Sequence, residues 1–250
     1  KLQGKNFREN NHNPLCFDIE VASICDLACG FCYRQYVSTP DKIMKKELAF
    51  KLIDQASKLN VPSMKFNWRG EPLLNPNLPE IIDYAKQKGI LETMINTNAT
   101  KLDEKMSEKI IKSGLDIMIY SFDGGTKKTY EKMSPGRFRK NNFDDIYRNI
   151  FNFSKIKKKL NSPFPRTKIQ MILTDETRKG QEEYFKLFKN IVDEVSVKQY
   201  TERGGKLTDL EEKFEGKLKD KKKDLIKQYG SDAVLMKDSK NNIFISNERL

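Results

Sequence analysis

The run Leu15-Cys-Phe-Asp-Ile-Glu-Val-Ala22, followed closely by Cys25-Asp-Leu-Ala-Cys29-Gly-Phe-Cys32, is the stretch from which the rest of the chain can be read. Its first half reads as an apolar strand, with Leu15, Phe17, Ile19 and Val21 on one face and Cys16, Asp18 and Glu20 on the other. Its second half spaces cysteines as C-x-x-x-C-x-x-C, so three of the chain's four cysteines fall within eight residues. Thiols this close hold a metal or a cluster more readily than they close disulfides, because the competing pairings cannot all span such short loops. A structural zinc site and a ferredoxin cluster each want four protein ligands. Three ligands leave one position open, and if the guest is a cubane iron-sulfur cluster, one iron is free to bind a substrate or cofactor. That arrangement suits a reactive centre rather than a structural clamp.

Outward from this stretch, strand-like and helix-like segments alternate to about residue 200. Strands are expected near 15, 63, 91, 116, 167 and 193, each short and rich in β-branched or aromatic residues. Between them the apolar spacing turns helical, as in Ala49, Leu52, Ile53, Ala56 and Leu59, in Leu78, Ile81, Ile82 and Ala85, and in Tyr184, Leu187, Phe188 and Ile191. Gly89 and Gly114 fall just past helix ends, where a left-handed residue turns the chain into the next strand. Six β-α units of this kind imply an α/β fold built on a parallel sheet. A Lys/Glu-rich stretch over 206–229, with Leu207, Leu210, Phe214 and Leu218 at helical spacing, reads as an amphipathic helix, and 231–250 holds one more apolar patch around Ile243. The division expected is a leader over 1–13, a core domain over 14–204 and a helical extension over 205–250.

With 37% hydrophobic and 33% charged residues the chain has the composition of a soluble globular protein. No apolar run approaches a membrane span and no signal peptide opens it, so a cytoplasmic location is expected, where a reducing compartment suits exposed thiols. The formal net charge is +12, but the cations are spread along the chain among 35 acids. Lys217-Leu-Lys-Asp-Lys-Lys-Lys223 is the one local basic run, and it reads as a solvated helix face rather than a nucleic-acid patch.

The remaining strand ends carry motifs of their own. After the second strand comes Arg69-Gly-Glu-Pro-Leu-Leu-Asn-Pro76, in which Gly70 permits close backbone approach and Pro72 fixes a turn. The third ends in Ile95-Asn-Thr-Asn-Ala-Thr100, and the fourth runs into Ser121-Phe-Asp-Gly124. Together with the cysteine triad and the aromatic Phe31 before Cys32, these segments resemble the radical S-adenosylmethionine (SAM) superfamily, whose signature is C-x-x-x-C-x-aromatic-C. Arg69 stands where that family has the first glycine of G-G-E-P, and Ala99 where it has the glycine of T-N-G-T.

The resemblance covers about 14–204 and implies an open, partial (β/α)6 TIM-like barrel with its chemistry at the C-terminal strand ends. It implies that Cys25, Cys29 and Cys32 hold a 4Fe-4S cluster whose open iron chelates SAM. The reduced cluster then cleaves SAM to methionine and a 5'-deoxyadenosyl radical that abstracts hydrogen from a substrate. By the same resemblance Phe31, Gly70, Glu71, Pro72, Thr97, Asn98, Ser121 and Asp123 line the cofactor, Glu71 accepting from the SAM ammonium and Thr97 and Ser121 meeting its methionine or ribose part. Thr97 and Ser121 could equally cap the helices that follow them. Ser134 lies near the place where many relatives put an arginine for the SAM carboxylate, with Arg137 and Arg139 as substitutes. Glu20, Lys168 and Gln170 are candidate lumen residues by alternation. Cys16, in the strand rather than the loop, reads as a small buried residue.

The motif details look most like the subfamily with a C-terminal SPASM domain, whose extra cysteines are not found after Cys32; the chain reads as truncated before them. Relatives of that kind act on peptides or small molecules and draw electrons from a donor such as flavodoxin or ferredoxin. Two other readings stand beside this one. A non-catalytic zinc or iron-sulfur module would close its coordination with Cys16 or His12. An RNA-modifying enzyme would need a continuous basic patch interleaved with aromatics.

Overall fold

The computed structural model describes residues 13–32, 34, 40–200, 234–237 and 243–246. The chain forms two compact units, Lys1–Tyr200 and Thr201–Leu250. In the first, strands β1 (Cys16–Asp18), β2 (Ser63–Lys65), β3 (Glu92–Thr97), β4 (Ile117–Ser121), β5 (Arg166–Leu173) and β6 (Glu194–Gln199) form one sheet in sequence order. Every neighbouring pair is parallel. The sheet does not close on itself, so the architecture is the expected α/β partial barrel.

The helices that join the strands are α1 (Lys46–Lys58), α2 (Leu78–Gln87), α3 (Glu104–Lys112), α4 (Lys127–Met133), α5 (Phe143–Lys159), α6 (Asp175–Arg178) and α7 (Gln181–Phe188). They pack on one face of the sheet. Ile53 of α1, Ile81 and Ile82 of α2, Ile150 and Phe153 of α5 and Phe188 of α7 are buried with Met64, Ile95, Tyr120, Ile169 and Met171 of the strands. Each such aliphatic side chain contributes about 1.5–3 kcal/mol by leaving water. The alternate strand residues, Lys65, Met94, Asn96, Ile119, Lys168 and Gln170, are half-buried on the other face, as alternation requires. Gly89 and Gly114 have φ of 85° and 77°, the left-handed turn out of α2 and α3 that glycine makes without strain.

At the N-terminal base of the barrel one device appears twice. Asp116, just before β4, accepts from the backbone N–H of Thr93 at 2.8 Å, from its hydroxyl at 2.9 Å and from Lys86 Nζ at 2.8 Å. Asp193, just before β6, accepts from the backbone N–H of Thr167 at 2.7 Å, from its hydroxyl at 2.8 Å and from Lys157 Nζ at 3.0 Å. In each case an aspartate entering one strand ties down the start of the preceding strand and a lysine of the helix between or before them.

The first strand departs from expectation. Regular pairing is confined to Cys16–Asp18, because the chain then turns away: Val21 O accepts from Met44 N at 2.9 Å and Ala22 bridges to Ile43. Phe17, Ile19 and Val21 do face the core, but Leu15 is 79% exposed, and Cys16 is exposed rather than buried. β1 is the edge of the sheet, so its first residues have a neighbour on one side only.

In the second unit, β7 (Val234–Lys237) and β8 (Ile243–Ser246) pair antiparallel. These residues of the expected helical extension are therefore strand. Their two apolar four-residue runs flank Asp238-Ser-Lys-Asn-Asn242, a composition that turns chains. The helix expected over 206–229 lies outside the described residues.

Candidate active site

The loop carrying Cys25, Cys29 and Cys32 begins where β1 ends and is fastened on three sides. At its stem, Arg34 Nε donates to Ser23 O at 2.8 Å and the Ser23 hydroxyl donates to Pro40 O at 2.6 Å. On one flank, Ala28 N donates to Pro135 O and Arg137 N to Asp26 O, both at 2.8 Å, while Leu27 bridges to Gly136. Beneath lies the segment after β2. A Cβ on Gly70 would sit 2.2 Å from Ala22 O and 2.6 Å from Ile24 O, and Glu71 N donates to Ile24 O at 2.9 Å. Only glycine lets these two backbones meet, so the glycine of this motif is explained by the cysteine loop lying against it.

Glu71 is buried, and its carboxylate ties three segments together. Oε1 accepts from Leu73 N at 3.0 Å and from the Thr97 hydroxyl at 2.6 Å, and Oε2 accepts from Asn98 N at 2.7 Å. Three of about four lone-pair sites are thus filled by the protein. Pro72 is the first residue of the 3-10 turn Pro72–Leu74 that Glu71 caps. Thr97 does not cap a helix, nor does Ser121: Asp103 caps α3 and Thr126 caps α4. Thr97 spends its hydroxyl on Glu71 and on Ala99 N, at 3.0 Å. Ala99 has φ of 61°, so the residue that replaces the family's glycine retains glycine's backbone conformation.

Asn98 completes the wall. Its Nδ2 donates to Asp26 Oδ1 at 2.9 Å and points to Cys25 Sγ at 3.9 Å, and its Oδ1 accepts from Thr100 N at 3.0 Å. Thr100 donates its hydroxyl to Asp26 Oδ2 at 2.6 Å. Asp26 was not singled out in the sequence, where it looks like any polar loop residue. Its position between the first and second cysteines was the only available signal. Asp123 is buried and accepts from Ile172 N at 2.7 Å, and its charge acts on Cys29. Ser121 is exposed at the end of β4, and Phe31 is half-buried beside Cys32.

Of the three residues considered for the SAM carboxylate, Ser134 is buried, and its influence on the Cys29 thiol is to lower it against the effect of burial. Arg137 pairs with Asp41 at 2.8 Å, which also meets Arg34, and its guanidinium lies 4.7 Å from the Phe138 ring. Arg139 makes no contact that places it. Arg69, in the position of the family's first glycine, chelates Glu20, with its backbone N and Nε each 3.0 Å from Oε1 and its terminal nitrogen 2.8 Å from Oε2.

The electrostatics of this end are distinctive. Burial pushes the thiols of Cys25 and Cys29 up to about 12, with the charges of Glu71 and Asp123 adding to it respectively. Burial likewise pushes Glu71 up to about 7 against its three hydrogen bonds, and Asp123 up to about 7 against one. No cation contributes to either carboxylate. Glu71 and Asp123 are therefore buried acids without a cation, while the guanidinium of Arg137 lies close enough to Cys25 to feel its charge. The three thiols are free, and Cys16 lies apart, at the start of β1, with its thiol 3.9 Å from Asp18. Among the described residues no three His, Cys, Asp or Glu side chains converge on a single ion, and His12, considered for a closed site, lies outside them. The donor set fits a guest that brings its own positive charge and needs only three thiolates. A 4Fe-4S cluster with cationic SAM on its fourth iron is such a guest.

Known proteins bear on this geometry. The solved structure of SuiB from Streptococcus suis bound to S-adenosylmethionine superposes with a TM-score of 0.63 at 22% identity, over 87% of this chain and 48% of that one. The anSMEcpe structure with bound AdoMet superposes with a TM-score of 0.60 at 20% identity, over 77% of this chain and 54% of that one. Both show the shared fold. Among curated sequences, the probable GTP 3',8-cyclase of Methanococcus maripaludis is 31% identical over 48% of this chain and 40% of its own length. The tungsten-containing aldehyde ferredoxin oxidoreductase cofactor-modifying protein of Pyrococcus furiosus is 30% identical over 42% and 30%. The Fe-coproporphyrin III synthase of Methanosarcina barkeri is 33% identical over 51% and 31%. These matches span less than half the length of each relative. The family model for the Radical SAM superfamily matches residues 19–188, most of the first unit and all of the strand ends described above, and the chain belongs to that superfamily, whose cofactors are a 4Fe-4S cluster and S-adenosylmethionine.

Proposed function

We propose that Cys25, Cys29 and Cys32 are the three cluster ligands and that the protein is an enzyme that cleaves SAM reductively to start radical chemistry on a peptide or small molecule. The observation that carries this reading is the packing of Gly70–Glu71 directly against the cysteine loop, which puts the acidic wall and the thiols at one barrel end. When bound, the cluster supplies the electron that splits the sulfonium of SAM into methionine and a 5'-deoxyadenosyl radical. The protein's part is placement and charge. Glu71 and Asp123 are buried acids without a cation, and the sulfonium and ammonium of SAM would provide one. The fourth lone-pair site of Glu71, on Oε2, is what remains to meet the ammonium. Gly70, Pro72, Thr97 and Asn98 hold Glu71 and the loop in register, and Phe31, Ser121 and Asp123 border the same opening.

Lys168, Gln170 and Ile172 of β5, with Ser121 of β4, lie half-buried or exposed on the sheet face opposite the helices, and we assign the substrate to that face. The three curated relatives carry three different activities in their names, so kinship supports the cofactor chemistry and leaves the substrate to the lumen residues. A flavodoxin or ferredoxin is the class of donor that suits a low-potential cluster. A SPASM-type relative is the subfamily reading that the segment Ser121–Gly124 supports. RNA is a weaker candidate substrate, and the one local basic run, 217–223, lies outside the described residues. Among the described residues no helix is long and apolar enough to cross a membrane.

The test is anaerobic reconstitution with iron and sulfide, followed by SAM and dithionite. The expected result is 5'-deoxyadenosine together with a broad visible absorbance. A protein that takes up zinc alone and leaves SAM intact would overturn the reading.

A further inference from the structure

We propose that Asn98 is a positioning residue that donates to the Cys25 thiolate and so raises the reduction potential of the bound cluster. The inference rests on the assignment of the cysteines above and goes beyond it, since it gives Asn98 a partner other than SAM.

The geometry at Asn98 is specific. A carboxamide nitrogen has two hydrogens. Asp26 Oδ1 takes one at 2.9 Å, and the other is left toward Cys25 Sγ at 3.9 Å. The orientation is not free to flip, because Oδ1 of Asn98 accepts the backbone N–H of Thr100 at 3.0 Å. Asp26 is fixed in turn by the Thr100 hydroxyl at 2.6 Å and, through its carbonyl, by Arg137 N at 2.8 Å. Asn98 is therefore held as a donor to the sulfur by four surrounding bonds.

Hydrogen bonds to cluster sulfurs stabilise the more negative, reduced state, so such a donor raises the potential of the one-electron couple.

The experiment is a potentiometric titration with dithionite of the reconstituted protein, followed by the electron paramagnetic resonance signal of the reduced cluster, with iron and sulfide content measured in parallel. Asn98→Ala is expected to lower the midpoint potential at unchanged iron content. Asn98→Ser retains a side chain that can accept from Thr100 N but cannot reach the sulfur, so it gives the same shift if Asn98→Ala fails to fold. A midpoint equal to the parent's in a fully loaded Asn98→Ser protein would overturn the inference and leave the cluster assignment standing. A parent protein that loads no 4Fe-4S cluster would overturn both.

Discussion

The two ends of the barrel treat their acids in opposite ways. At the N-terminal base, Asp116 and Asp193 each collect two donors from a threonine and an ammonium from a lysine. Burial opposes the charge of Asp193, yet Thr167 and Lys157 hold its carboxyl below the usual range. At the C-terminal rim, Glu71 and Asp123 are more deeply buried and meet neutral donors only, and both are pushed up to about 7. The base carries its own lysines, whereas no cation acts on Glu71 or Asp123 at the rim. This is the physical content of the rule that a barrel keeps its stability at one end and its chemistry at the other.

The comparison can be broken most decisively at the thiols. Replacing any one of Cys25, Cys29 or Cys32 by Ala is expected to remove the visible absorbance of the reconstituted protein and all 5'-deoxyadenosine, while far-ultraviolet circular dichroism stays that of the parent. A Cys29→Ala protein that still releases 5'-deoxyadenosine would sink the assignment of the loop. Next in size is Gly70→Ala, which forces a methyl into backbone oxygen at 2.2 Å and should cost roughly 3 kcal/mol, the upper end of overpacking penalties, in urea unfolding. A loss under about 1 kcal/mol would mean that the loop yields easily and that the contact does not position it.

The contrast between the ends sharpens into opposite pH slopes. Glu71 has a folded value raised from 4.5 to about 7, so its contribution to stability is full below about 4.5 and is lost as pH rises through about 7. Relative to Glu71→Gln, the parent should therefore lose up to about 3 kcal/mol of stability between those limits, at about 1.4 kcal/mol per unit. Asp193 has a lowered folded value, so its contribution is present above its ordinary value of 3.8 and is lost as pH falls through the folded one. Asp193→Asn should lose stability relative to the parent at neutral pH and converge with it in acid. Parallel slopes in the two unfolding series would remove the distinction between the ends. The smallest effect is expected at Lys168→Met, which removes a half-exposed pair with Glu194 at 2.6 Å and should change stability by no more than about 1 kcal/mol without altering iron content.

Much of this was legible in the residues. The β-α alternation located six parallel strands to within a residue or so, because periods of 2 and 3.6 are set locally by backbone geometry. Helix exits at Gly89 and Gly114 were equally local. The early end of β1 was not, since it depends on Met44 drawing Val21 away from the sheet, a contact 23 positions apart along the chain and visible only after folding. The exposure of Cys16 follows from that strand's place at the sheet edge, which alternation does not reveal. Asp26 escaped notice for a similar reason: its partners Asn98 and Thr100 come from the end of β3.

The sequence by itself determined the fold class, the cysteine loop and the motifs that gather at the strand ends, because each depends on the order and spacing of nearby residues. Only the tertiary structure decided which groups are already occupied. It turned Thr97 from a candidate ligand or cap into a donor to Glu71 and left Glu71 and Asp123 buried without a cation. Charge and hydrogen-bond balance in a buried site are sums over groups distant in the chain, and those sums exist only once the strands have brought their ends together.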